Sequence, residues 1–463
     1  MVFSSLSFLI VFLPVTAGVY YLCPKRFRNL WLFLSSIVFY GYGEPRFLPV
    51  FLFSIVWNHV FGLLIEKQKQ PDRKRLVLLI CLLGDIGTLA VFKYTDFACG
   101  LLGLAKPGIP LPIGISFFTF QEISYAVDIY RGTPAQKDPV CTGLYIAFFP
   151  QLIAGPILRY DNMRVQIGSR KETAYAFSEG FFRFCRGLCR KVLLANRLGL
   201  MSDHLLSGQG LVQNSAPALL VGVFAFGIQL YLDFSGYSDM AIGLGQTFGF
   251  RIPENFRDPY LAENASDFWR RWHISLSGWF RDYVYIPLGG SRRGHVRTIM
   301  NLLIVWFLTG LWHGADIPCV LWGLLWGVWI IAERFLIRPA ERGSVLRTFY
   351  RCLTFVLAVF LFVLLKVNTF SELCLLWGRI FSLSGWTDLQ MPVLKLWLHD
   401  EWFWILMALA VSFGLFRRLY DALYRRNAAF AELIRTGILL GGFVLSVSFI
   451  AGSSYNPFLY FQF

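Results

Sequence analysis

Charge is the first scarcity. Only 15% of the 463 residues are Asp, Glu, Lys or Arg, where a soluble globular domain carries about 25%. Hydrophobic residues make up 56% and the mean hydropathy is +0.55, so the bilayer is the solvent this chain is built for. A polar linker is also missing. Apolar segments recur from Met1 to Phe463 with no low-complexity tract and no internal repeat. That predicts one integral membrane domain, residues 1–463, not the several soluble domains that length alone suggests. Metal chemistry has no footing either. The six histidines lie far apart, no His-x-x-x-His pair exists, and Cys185 with Cys189 finds no second pair to complete a zinc site. A Gly-x-Ser-x-Gly elbow and a P-loop are both absent. Residues 4–22 are apolar but lack a basic flank and an Ala-x-Ala cleavage site, which predicts a retained membrane helix.

What is present begins with a net charge of +15. The basic residues cluster in short loops between apolar segments, the positive-inside pattern, so nucleic acid is excluded as a partner and membrane lipid is expected. Such loops also suit a polyanionic cytoplasmic substrate such as the phosphates of coenzyme A. Lys25-Arg26-Phe27-Arg28 and the run from Lys67 to Arg75 are separated by two apolar segments. Both therefore fall on the cytoplasmic side and the N-terminus outside. The basic run 338–347 and the run 417–426 are read as cytoplasmic too, with His399-Asp400-Glu401 outside.

Three stretches carry polar residues at membrane depth, and a fourth is broken by proline. Around 140–160, Phe148-Phe149-Pro150-Gln151-Leu152-Ile153-Ala154-Gly155-Pro156 has basic residues on both sides, which predicts a re-entrant element with Gln151 inside it. In 225–250, Tyr231, Asp233, Ser235 and Asp239 sit among apolar residues. Either they serve a function, or the acids cap a helix broken at Ser235-Gly236 or pair with arginine. The block 255–294 has too many charges to span and too many aromatics for an ordinary loop, which predicts an interfacial or cavity-dipping element. It holds Asp267, Trp269, Arg270, Arg271, Trp272, His273, Arg281, Asp282, Tyr283, Arg292 and Arg293. Last comes Gly310-Leu311-Trp312-His313-Gly314. A neutral imidazole in an apolar setting suits a general base; a structural role is the alternative reading.

Taken in order, residues 1–9, 111–121, 150–156, 231–239 and 269–290, with Trp312-His313-Gly314, resemble the membrane-bound O-acyltransferase family over nearly the whole chain. Tyr285-Ile286-Pro287-Leu288-Gly289-Gly290-Ser291-Arg292 is similar to the branch that O-acetylates envelope polysaccharides such as alginate, more than to the branch that moves D-alanine onto teichoic acid. One departure is Trp326-Gly327, where relatives often place a His-Gly pair. The resemblance implies an all-α polytopic membrane fold, a ring of tilted helices with re-entrant segments around a through-membrane tunnel. It implies His313 as the catalytic histidine and His273 as the second. Trp312, Asp267, Trp269, Trp272, Asp282, Tyr283, Tyr231, Asp233, Ser235, Asp239 and Gln151 become candidates for lining the tunnel. Arg270, Arg271, Arg281, Arg292 and Arg293 become candidates for the phosphates of the acyl-CoA. It further implies acetyl-CoA as donor substrate with no permanently bound cofactor and no metal. A separate secreted or anchored SGNH-hydrolase-like partner, an envelope polysaccharide acceptor and a multi-pass place in the bacterial inner membrane complete the expectation. A transporter or channel without chemistry is the competing class; it explains buried acids but gives no reason for the Arg-Trp-His block.

Overall fold

The computed structural model describes residues 1–337, 343–367, 369–382, 384–387, 392–453 and 455–457. Of the sequence expectations, the start of the basic run at Arg338 and the terminal Phe463 lie outside these residues. The described residues form helices and loops, with no strand among them.

Two compact units emerge, Met1–Phe184 with Ser238–Glu254, and Cys185–Tyr237 with Asn255–Phe463. In chain order the helices are α1 (Leu13–Leu22), α2 (Arg28–Gly43), α3 (Leu48–Lys67), α4 (Pro71–Leu101), α5 (Ile115–Tyr130), α6 (Pro139–Ala147), α7 (Phe149–Leu152), α8 (Tyr160–Ser169), α9 (Ala174–Cys189), α10 (Asn196–Leu206), α11 (Gln209–Gln213) and α12 (Ala216–Thr247). Then follow α13 (Ala265–Arg271), α14 (Ile274–Phe280), α15 (His295–His313), α16 (Ile317–Ala332), α17 (Ser344–Phe362), α18 (Phe370–Phe381), α19 (Ser384–Thr387), α20 (Pro392–Ser412), α21 (Leu415–Arg426) and α22 (Ala428–Gly452). Seven helices among the described residues are long and apolar enough to cross a bilayer, or eight if α20 and α21, bent by 67°, count as one broken span. The protein is therefore an integral, polytopic, all-α membrane protein. Large apolar side chains such as Leu83, Phe53 and Val444 remain exposed, as a lipid-facing surface requires.

Proline sets several helix starts. It occupies the first or second position of α4, α6 and α16, where its missing N–H is no loss. Pro150 likewise takes the second position of the short α7. The helix of α6 stops at Phe148, a four-residue turn follows, and residues 148–154 are all buried. The 140–160 stretch is thus broken backbone inside protein, not a span.

One expectation is overturned. The chain does not break at Ser235-Gly236; α12 runs unbroken through both acids. The helix needs no cap there because each acid has a cation. Lys191 Nζ lies 2.8 Å from Asp233, both buried, and Arg183 bonds Asp239 at 3.1 Å while also holding Glu254. Gly236 serves packing instead, since a Cβ there would meet the Gly187 carbonyl oxygen at 2.8 Å.

Candidate functional site

His313 is the last residue of α15, and its place is fixed by how that helix ends. Gly314 leaves the helix in an extended conformation, its N–H still bonding Gly310 O at 3.2 Å. Two residues later Asp316 starts α16, accepting from Cys319 N at 2.7 Å. The two helices then pack back to back through glycine. A Cβ on Gly310 would lie 2.5 Å from Cys319 O, and one on Gly323 only 2.3 Å from Trp306 O. This close hairpin brings Trp322 against His313, ring centroids 4.7 Å apart and edge to face. His313 is 3% exposed.

Beyond it lies an aromatic cluster. Trp269 contacts Trp306, Trp322 and Trp326 at 4.6, 5.8 and 5.2 Å. Phe268 stacks on Trp326 and on Trp272. The indole N–H groups of Trp269, Trp322 and Trp326 are buried without a hydrogen-bond partner among the described residues. A buried donor left unsatisfied costs about 1–3 kcal/mol, and three of them lie in this one cluster, Trp322 directly against His313.

His273 arrives from a different element. It joins α13 to α14 in a left-handed conformation, φ 42° and ψ 53°, which is uncommon for any residue but glycine. The turn is built from both ends. Asn264 caps α13, and the Glu333 carboxylate reaches the same N-terminus, accepting from Ala265 N at 2.8 Å, Ser266 N at 3.2 Å and Tyr350 Oη at 2.8 Å. Asn255 O accepts from Ile274 N at 3.0 Å, and Asn255 Oδ1 accepts from Ser275 N, Ser275 Oγ and His273 Nδ1 at 3.2, 2.8 and 3.2 Å. His273 is fully buried, with Phe234 at 4.7 Å and Trp312 at 6.0 Å between ring centroids. Burial first, then the positive charge His313 takes on when protonated, push its pKa well below the ordinary histidine value. Trp312 packs on both imidazoles, 4.8 Å from His313.

The second unit thus gathers His313, His273, Trp312, Trp269 and Trp272 in one aromatic neighbourhood. Tyr231 joins it through Trp272 at 6.0 Å, and Ser235 is buried in α12. Asp233, in the same helix, is engaged by Lys191. Gln151 and Asp239 belong to the first unit, where Gln151 Nε2 donates to Tyr145 O at 3.0 Å. Asp267 takes a structural part, bonding Arg270 at 3.4 Å and Arg271 at 2.8 Å. Asp282 holds Arg281 at 2.7 Å, and Tyr283 stacks on Trp279. Of the five arginines, Arg292 and Arg293 alone form no ion pair with a described residue and are exposed, which leaves them available for an anion.

Trp322, Trp326, Asn255 and Glu333 were not singled out as site residues by sequence reasoning. The Trp322-Gly323-x-x-Trp326-Gly327 spacing, two indoles four apart facing one way, was the available signal for the first pair. Asn255 and Glu333 are too far from His273 in sequence for any spacing to reveal them.

Comparison with known proteins identifies the family. The model of the membrane-bound O-acyltransferase family matches residues 143–378, which include both histidines. A relative from Pseudomonas putida, "Probable alginate O-acetylase AlgI", is 37% identical, with all of both chains covered. The "Peptidoglycan O-acetyltransferase" of Helicobacter pylori is 34% identical over 72% of this chain and 70% of its own. The "Teichoic acid D-alanyltransferase" of Bacillus subtilis is more distant, 27% identical over 67% of this chain and 82% of its own.

Proposed function

The chain belongs to the membrane-bound O-acyltransferase family, and from that premise we propose that it moves an acetyl group from cytoplasmic acetyl-CoA to a hydroxyl of an extracytoplasmic envelope polysaccharide. The observation that carries the reading is the pair of buried imidazoles flanking Trp312, one of them ending a membrane-spanning helix. The relatives named for O-acetylation of alginate and peptidoglycan give the acyl group and the acceptor class.

His313 acts as general base. It takes the proton of the acceptor hydroxyl as the oxygen attacks the thioester carbonyl; the C–O bond forms, the C–S bond breaks, and the proton passes to the departing coenzyme A thiolate. His273, held neutral by burial, supports the same centre. The indole N–H groups around His313 stabilise the carbonyl oxygen as it gains charge. Arg292 and Arg293 bind the phosphates of the donor by charge-assisted hydrogen bonds. The acceptor hydroxyl belongs either to the polysaccharide or to the serine of a separate secreted SGNH-hydrolase-like partner, and the chain lies in the bacterial inner membrane with its N-terminus outside.

The decisive measurement is release of free thiol from acetyl-CoA by the purified chain in lipid nanodiscs, with and without acceptor. His313→Ala abolishes acceptor-dependent release while the protein still elutes as a monodisperse species. Full activity in that folded variant removes the proposal, and transport of substrate without thiol release replaces it with a carrier.

A further inference from the structure

The first unit carries a second buried polar centre that acyl transfer leaves unused. Helices α3, α4 and α5 line a small cleft of about 70 Å³. Ser54 and Trp57 line it from α3, Asp85 from α4, and Phe118 and Glu122 from α5. Asp85 is 4% exposed and Glu122 1%. Among the described residues neither carboxyl forms an ion pair. Asp85 lies near the middle of the 31-residue span α4 and Glu122 near the middle of α5. A lipid headgroup stays at the interface and does not reach that depth.

Two buried carboxylates lining one cleft cannot both be charged without a cation. The hydrogen bonds divide the roles. Asp85 Oδ1 accepts from Asn58 Nδ2 at 2.9 Å, and the Cys81 thiol lies 3.8 Å from Oδ2, shared with Asn58 Oδ1, so each oxygen of this carboxyl has a donor beside it. Glu122 has the reverse setting. Ser54 bonds it, but the Ser54 hydroxyl also has Phe51 O as an acceptor at 2.9 Å and so divides its one proton between the two. The other oxygen, Oε1, is buried with no hydrogen-bond partner among the described residues. A charged Glu122 has only that shared hydroxyl as a donor among the described residues, whereas a protonated one donates to Ser54 Oγ.

We propose that Glu122 and Asp85 form a membrane-buried proton-binding site, in which Glu122 carries the proton at neutral pH and Asp85 carries the charge. The surrounding groups supply no competing cation. From α4, Lys93 lies two turns beyond Asp85 and bonds Ser116 Oγ at 3.1 Å. From α3, His59 bonds Thr142 at 2.9 Å, and Glu66 at the helix end accepts from Ala135 N. Tyr40 of α2 faces Glu122 with a neutral phenol, Tyr125 packs among Tyr145 and Tyr160, and Asp128 lies farther along α5. A metal ion is the poorer fit, because hard cations want a shell of several oxygens and both Asp85 oxygens are already engaged.

Infrared spectroscopy of the full-length chain in nanodiscs tests this. At neutral pH the wild type shows the C=O stretch of a protonated carboxyl that Glu122→Gln removes; in Asp85→Asn the band persists. Its survival in Glu122→Gln, or its absence from the wild type, overturns the assignment. Melting temperature supplies a second arm. The difference between wild type and Glu122→Gln turns against the wild type as pH rises well above neutral, when a second charge enters the cleft. A rise specific to sodium over choline that Asp85→Asn abolishes would make the bound cation sodium and refute the proton.

Discussion

Asn255 accepts a hydrogen bond from Nδ1 of His273 at 3.2 Å, and this contact decides which imidazole nitrogen carries the proton. The amide oxygen is identified by the backbone N–H of Ser275, which donates to the same atom. Nδ1 is therefore the donor, and the neutral ring presents its lone pair at Nε2.

Asn255→Ala releases that tautomer. We expect the rate of acyl transfer to fall by on the order of 10-fold, about 1.4 kcal/mol, with KM for acetyl-CoA little changed. Asn255→Asp keeps an acceptor for Nδ1 but adds a negative charge, which favours imidazolium. The acid limb of its pH–rate profile moves to higher pH. Identical profiles for wild type and Asn255→Asp would show that His273 takes no part in the reaction.

Because the folded pKa of His273 is depressed, the unfolded chain binds a proton there first. Stability from this site is present above the free histidine value of about 6.5 and is lost as pH falls below it. His273→Asn, whose side chain tolerates the left-handed turn, is expected to lose less melting temperature on acidification than the wild type. Equal losses would mean that His273 takes up its proton in the fold.

Trp322→Phe separates packing from function. The ring stays against His313, and a buried N–H with no partner among the described residues disappears. Thermal stability should be unchanged or slightly higher, while acyl transfer falls by about 10-fold if that N–H bonds the reacting carbonyl, a loss of about 1.4 kcal/mol. A variant with full activity would assign Trp322 to packing alone.

The legible parts of this protein were those with a local signature. Long apolar runs such as α4 and α16 announced spanning helices, the two prolines at 150 and 156 announced broken backbone, and Trp312-His313-Gly314 stood out as a polar group ending an apolar run. Pairings across sequence did not show. Lys191 neutralises Asp233 from 42 positions away, so the acids near Ser235-Gly236 looked like caps for a break that α12 does not have. Asn255 and Glu333 shape the His273 turn through long-range hydrogen bonds that only the fold creates.

Lys191 and Asp233 provide the sharpest test of that lesson. Both side chains are almost fully buried, 2.8 Å apart, and Lys191 Nζ also bonds Asn196 at 2.8 Å. Removing one partner of such a pair strands the other charge and costs about 3–5 kcal/mol. Asp233→Asn alone should therefore lower the melting temperature sharply in nanodiscs. Adding Lys191→Met to Asp233→Asn should recover most of the loss, because the uncompensated ammonium is gone. If the double variant is as stable as wild type and transfers acetyl at the wild-type rate, Asp233 is structural. If stability returns and activity does not, the ion pair itself is needed by the reaction and becomes part of the site.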